Sequence, residues 1–316
     1  MKSFINDLKN ALKKRKLSDE VIQDIVQDYE GMIQAGLEDG VKEADILKKF
    51  GTVDRIAEEL AGVERDTSKA PGEDVKVVKQ VEVTDEAYHV DVNLPTENVS
   101  YIRAESNVIE ITANRTIDDA YDIEYADGTL KIRAPKTQAF GLFNWISRRL
   151  NVSFTIALPT TPRCVQLSHK TVTGDVTFEN LTLERVKLNN VNGNAKTHGV
   201  HFGEVMLQTV NGDLKVDAST VKSLHAHLVN GDIKLTNTTF DETIRVETVS
   251  GDISINTVTS GDCTTSAVSG DFCAEEFYPA SFQSRTLSGD LTIKNTKPHT
   301  ISKENIKTTS GTVSIN

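Results

Sequence analysis

Aspartates that recur at a fixed interval are the residues most able to do chemistry in this chain. Asp175, Asp213, Asp232, Asp252, Asp271 and Asp290 each follow a glycine directly, and Asn194 holds the same place in one further copy. Carboxylates repeated in this way have two uses. They can cap backbone N–H groups at corners, as in Asx turns, or hold a hard divalent cation, which prefers oxygen ligands. Asp213, Asp232, Asp252 and Asp271 are the candidates for a Ca²⁺ site. The nonapeptide calcium repeat with paired glycines is absent, and this favours capping.

Histidine offers a second candidate chemistry. Five of the seven histidines lie between residues 169 and 227, including His198-x-x-His201 and His225-x-His227. Such spacings can bind a transition metal on a strand or turn. The two pairs fall in different columns of the repeat, and neither Cys nor carboxylate completes a set, so no metal centre is assigned. Cys263 falls in an apolar column with Val205, Leu224, Ile244 and Phe282 and reads as core. Cys273 falls on a polar face without a basic or histidine neighbour to activate it. No G-x-S-x-G elbow and no glycine loop before a helix is present, and the carboxylates lie at regular corners rather than in catalytic pairs. The expectation is a non-enzyme without a cofactor.

The remaining candidate is an interaction loop. Residues 140–150, Phe-Gly-Leu-Phe-Asn-Trp-Ile-Ser-Arg-Arg-Leu, contain the single tryptophan beside two arginines. Phe143, Trp145 and Ile146 could enter a lipid headgroup region while Arg148 and Arg149 meet anionic lipid. The alternative is a hydrophobic cap over the end of the first coil. The two roles are compatible.

The elements that must position these residues follow from a repeat. The glycines at 174, 193, 212, 231, 251, 270, 289 and 311 are spaced by 19, 19, 19, 20, 19, 19 and 22 residues. A near-constant period of this kind marks a solenoid. Asn-Gly between apolar residues also signals a hairpin, but a two-residue turn would set Val210 opposite Asp213 on one face. Val210, Leu214 and Val216 instead share a parity with Gly212, as on one strand running through the glycine with its bare position inward. Val205 and Leu207 have the opposite parity and call for a corner before Val210. Leu183, Phe202, Val221 and Phe240 mark a further side of the coil. Parallel stacked coils of about 19 residues are therefore expected, in a mainly β solenoid over residues 75–316 with regular repeats from about 167.

Residues 1–62 read differently. Phe4, Ile5, Leu8 and Leu12 share a helical face, and Lys13 to Lys16 suits a helix C-terminus. Ser18 caps a second helix with a wide apolar stripe through Tyr29 and Ile33. Ala44, Ile46, Leu47 and Phe50 make a third helix closed by Gly51, and Thr52 caps a fourth with Ile56, Ala57 and Leu60 inward. This small all-α domain has a slight core and is expected to bind a protein partner. Residues 63–74 form a polar linker with Pro71-Gly72. Thirty-five Lys plus Arg against 46 Asp plus Glu give a net charge of −11, which excludes a basic nucleic-acid footprint. No signal peptide, lipidation box or apolar span of transmembrane length is present. A cytoplasmic location is the expectation, with peripheral membrane contact through loop 140–150. The strand at the C-terminal end leaves an edge open to self-association into a homo-oligomer.

The Val-(Asn/Ser)-Gly-Asp-apolar repeats, introduced by Val152-Ser-Phe-Thr-Ile-Ala-Leu-Pro159, resemble the bacterial "putative adhesin" β-strand-repeat family. The likeness covers about residues 75–316. Residues 1–62 are similar to a short helical domain found in Gram-positive membrane-associated regulatory proteins, through Tyr29-Glu30, Gly40 and Phe50-Gly51-x-x-x-x-Ile56-Ala57. Together the arrangement resembles LiaX-like proteins tied to cell-envelope stress signalling. The resemblance implies a non-enzymatic scaffold near the membrane that modulates such a response, and it carries no ligand or catalytic residue. The alternative is a surface adhesin, exposed on the cell and binding a cell-wall or host ligand.

Overall fold

Helical spacing of apolar residues builds the first unit. The computed structural model describes residues 2–38, 42–58, 60, 75–114, 117, 121–134, 152–302 and 305–316. Helices α1 (Lys2–Lys14), α2 (Asp19–Glu38) and α3 (Glu43–Phe50) are followed by a helical stretch at 53–58. The Ser18 hydroxyl accepts a bond from Val21 N at 3.3 Å, as an N-cap should. Gly51 closes α3 with φ of 85°. Ile5, Leu8, Leu12, Ile22, Ile25 and Ile33 are buried with Ile56, Ala57 and Leu60 in one cluster. Phe4, Tyr29 and Phe50 pack mutually, with ring centroids 5.1–6.1 Å apart. No helix among the described residues is long and apolar enough to cross a membrane.

The second unit comprises residues 76–134 and 153–316. Its first strands are β1 (Lys76–Glu82), β2 (Ala87–Asn93), β3 (Asn98–Arg103), β4 (Val108–Ala113), β5 (Asp122–Ala126), β6 (Thr129–Arg133) and β7 (Ser153–Leu158). The repeat contributes β8 (Arg163–Lys170), β9 (Val176–Glu179), β10 (Thr182–Asn189), β11 (Ala195–His198), β12 (His201–Asn211), β13 (Leu214–Asp217) and β14 (Thr220–Asn230). Longer strands β15 (Ile233–Ser250), β16 (Ile253–Ser269) and β17 (Phe272–Ser288) follow, then β18 (Leu291–Lys294), β19 (Ile306–Ser310) and β20 (Val313–Ile315).

These strands wind a parallel β-solenoid of about eight turns with about 19 residues per turn. One stack runs β2–β8–β10–β12–β14 and continues through the later halves of β15, β16 and β17 to β19. A second stack runs β3–β9–β11–β13 through the earlier halves of β15, β16 and β17 to β18 and β20. Register is kept coil to coil, as in Val205↔Leu224 and Leu224↔Ile244. The antiparallel pairs β1–β4, β4–β7 and β5–β6 lie on the N-terminal side, where β7 pairs with β3 and β6 with β2.

The coil β2–β3 lies before the first Gly-Asp copy and pairs directly with β8–β9, although partners such as Val90 and Leu167 are 77 residues apart in sequence. One expectation needs correction. Val210 does not face inward. Thr209, Leu214 and Val216 are buried while Val210 is exposed, so the change of parity falls at the glycine itself. The bare side of Gly212 faces the Gly193 carbonyl in the preceding coil, along the stack rather than into the core. Leu183, Phe202, Val221 and Phe240 are all buried, and form the further side of the coil.

Candidate functional site

The corner geometry gives every aspartate of the repeat a structural partner. Asn98 Oδ1 accepts from Asp175 N at 2.9 Å, and Asp175 Oδ1 accepts from Asn194 N at 2.7 Å. The pattern continues through Asp213, Asp232, Asp252, Asp271 and Asp290 to Thr312, with every bond between 2.7 and 2.9 Å. Each carboxylate therefore caps the next coil's backbone N–H, rather than a local group as in an Asx turn. Lys196, Lys215 and Lys234 stack in register two positions along the same face, beside Asn194, Asp213 and Asp232. Opposite charge in the adjacent column offsets repulsion within the acidic one. Thr312 N–H and its hydroxyl hold the Asp290 carboxyl below the usual carboxylate range.

Asp213, Asp232, Asp252 and Asp271, the Ca²⁺ candidates, thus lie one to a coil with one oxygen each on a backbone amide. Among the described residues, no group of three or more His, Cys, Asp or Glu gathers where a metal ion could sit. A parallel amide column flanks the glycines, where Asn211 Nδ2 donates to Asn192 Oδ1 at 2.7 Å and Asn230 Nδ2 to Asn211 Oδ1 at 2.9 Å.

One position before these amides stands an apolar column. Val172, Val191, Val210, Val249, Val268 and Leu287 are 39–55% exposed, and Val229, at the equivalent place, is half-buried. Successive rungs lie about 4.8 Å apart, so the column extends over roughly 30 Å. The column is a line of exposed apolar side chains on an otherwise polar edge. The glycine corner turns these side chains outward, which the period-2 reading misses.

The histidine pairs have different fates. His198 Nδ1 lies 3.0 Å from Asp217 Oδ2 in the next coil. His225 and His227 share the outer face of β14 and line a shallow pocket with Met206, Gln208, Arg245 and Glu247. Arg245 donates through Nε and Nη2 to Glu247 Oε1 at 2.9 and 2.7 Å, and His227 Nδ1 lies 3.4 Å from Glu247 Oε2. Both neighbours, Arg245 foremost, hold the Glu247 carboxyl below its ordinary range. The sequence showed no carboxylate near this pair because Glu247 lies one coil away.

Inside the solenoid, His169 is fully buried and its Nδ1 lies 2.7 Å from Tyr101 Oη. Tyr101 stacks on Phe178 with centroids 4.9 Å apart. Burial lowers the His169 pKa to about 3, so the ring is neutral. Cys164 is buried and its thiol pushed up to about 12, chiefly by burial. Cys263 is core, as its column predicts. Cys273 is exposed, and partial burial followed by Asp271 and Asp252 raises its pKa, the reverse of activation. Phe143, Trp145, Ile146, Arg148 and Arg149, the proposed interaction loop, lie outside the described residues, as does the linker 63–74.

Comparison with known proteins agrees with this architecture. A solved structure from Parabacteroides distasonis named a "putative lipid binding protein" matches with a TM-score of 0.54 at 15% identity, over 78% of this chain and 98% of its own. A "putative adhesin" from Bacteroides fragilis matches with a TM-score of 0.49 at 18% identity, over 78% and 99%. At such identity the first likeness speaks for the fold alone. No curated protein matches the chain. Residues 3–59 match the family model HAAS. Residues 87–314 match the model Toastrack DUF4097, and the chain belongs to that family.

Proposed function

We propose that this chain is a non-enzymatic scaffold whose solenoid presents a rigid edge to a protein partner, while the helical unit, residues 1–62, docks a second. The observation that carries the reading is the exposed apolar column from Val172 to Leu287, set on an edge otherwise made of Asn, Ser, Asp and Gly. A flat, uncharged line of methyl groups between hydrogen-bonding columns fits an extended protein segment laid along the stack. The setting we propose is regulation of a cell-envelope stress response in a Gram-positive bacterium. The chain would act from the cytoplasmic side, with the 140–150 loop at the membrane.

The test is complementation. In a strain lacking the chain, wild-type protein restores an envelope-stress reporter to its normal level, whereas a V191K/V210K/V249K variant of equal abundance does not. Equal restoration by both would overturn the reading. Protease treatment of intact cells separates it from a surface adhesin: the scaffold stays intact until cells are lysed, and an adhesin is cleaved at once.

A further inference from the structure

A methionine on the outside of a solenoid invites explanation, because methionine ordinarily fills gaps in cores. Met206 is 49% exposed on the outer face of β12, in register with His225 of β14. His227 lies two residues further along the same strand and face, and all three side chains line one pocket. Adjacent strands are about 4.8 Å apart, and residues i and i+2 about 6.8 Å, so a thioether and two imidazoles of ordinary reach can converge above the sheet.

We infer that Met206, His225 and His227 form a binding site for monovalent copper, with Glu247 and Arg245 as positioning residues. The donor set selects the ion. Thioether sulfur is a soft ligand that favours Cu(I), whereas zinc and calcium sites recruit thiolate, carboxylate or a third imidazole. The surrounding shell fits too. A carboxylate on one ring nitrogen of a ligating histidine fixes its orientation and leaves the other nitrogen to the metal. Glu247 stands 3.4 Å from His227 Nδ1 and is itself gripped by Arg245, which leaves Nε2 as the ring nitrogen for the metal. Glu247 is thereby committed to the orienting role and does not serve as a ligand. Among the described residues His225 has no hydrogen-bond or ion-pair partner, so its ring is available.

The test titrates the full chain with Cu(I) anaerobically, in competition with a coloured Cu(I) chelator. The background carries Cys273→Ser, because that exposed thiol would bind copper by itself. One Cu(I) per chain is expected, and X-ray absorption should show two nitrogen ligands and one sulfur. Met206→Leu should weaken Cu(I) binding at least tenfold while leaving any Zn²⁺ binding unchanged. His225→Gln or His227→Gln should abolish competition, and Glu247→Gln should weaken it by roughly tenfold, the usual effect of losing an orienting partner. All these side chains are on the outer face, so the melting curves should coincide. Absence of competition in the parent chain would overturn the assignment. So would equal Cu(I) affinity for Met206→Leu, or an absorption spectrum without sulfur.

Discussion

Gly251 shows at the residue scale why one residue type recurs at every corner. Its φ is +147°, and a Cβ there would overlap the Gly231 carbonyl oxygen in the coil before. Neither a rotamer change nor a small shift relieves a clash with backbone in a stacked column. Gly251→Ala should therefore cost about 3 kcal/mol or more, read as a lowered midpoint in urea melts. The neighbouring aspartates obey another rule. Asn194 already does with an amide what the aspartates do with a carboxylate. Asp232→Asn should leave stability within about 0.5 kcal/mol, whereas Asp232→Ala should cost about 1 kcal/mol by uncapping Asp252 N. A marked loss with asparagine alone would show that the charge itself is needed, as for a cation.

His169 carries a pH prediction at the same scale. Its folded pKa of about 3 lies below the unfolded value near 6.5. The unfolded state therefore binds the proton first. The contribution is fully present above pH 6.5 and is lost as pH falls toward 3, amounting to about 5 kcal/mol. Replacing both polar partners, in Tyr101→Phe/His169→Leu, should be near neutral at pH 8. The double variant should lose less stability than wild type between pH 6.5 and 4 in urea melts. Identical slopes would show that His169 does not titrate across unfolding.

At the scale of elements, each coil is a unit that repeats its neighbour's columns. Deleting residues 252–270 joins Gly251 to Asp271, removing one 19-residue turn while keeping every column in register. That variant should fold cooperatively, with a strand signal in circular dichroism reduced by about one coil. Removing only ten residues from the same segment should abolish cooperative melting, because it breaks the register of all later strands. The period, the parallel pairing and the buried columns of Val205 or Phe240 were legible in sequence because each follows from spacing alone. The outward turn of Val210 was not, since parity reverses at a glycine whose conformation the pattern does not encode. The β2–β3 coil was hidden as well. Its corner is Pro95-Thr96-Glu97, without Gly-Asp, and only Asn98 Oδ1 on Asp175 N reveals it as the first rung of the ladder.

Over the whole molecule, hydrogen-bonded columns tie coil to coil, and in the reading we propose they hold the apolar line in place as a recognition edge. Polar chemistry is largely consumed in holding coil to coil, as the unbroken acceptor ladder from Asn98 to Asp290 illustrates. Among the described residues the exposed valine column and the Met206–His225–His227 face lie on the same strands, with Val210 four residues after Met206 on β12 and Val229 four after His225 on β14. Site-specific photocrosslinking in living cells tests the scaffold reading most directly. A photoreactive residue placed at Val249 should yield one discrete crosslinked partner, and the same probe at Thr292, on the outer face of β18, should yield none. Adding V191K/V210K to the Val249 probe should abolish the product. No product at Val249, or the same product from both positions, would contradict the account.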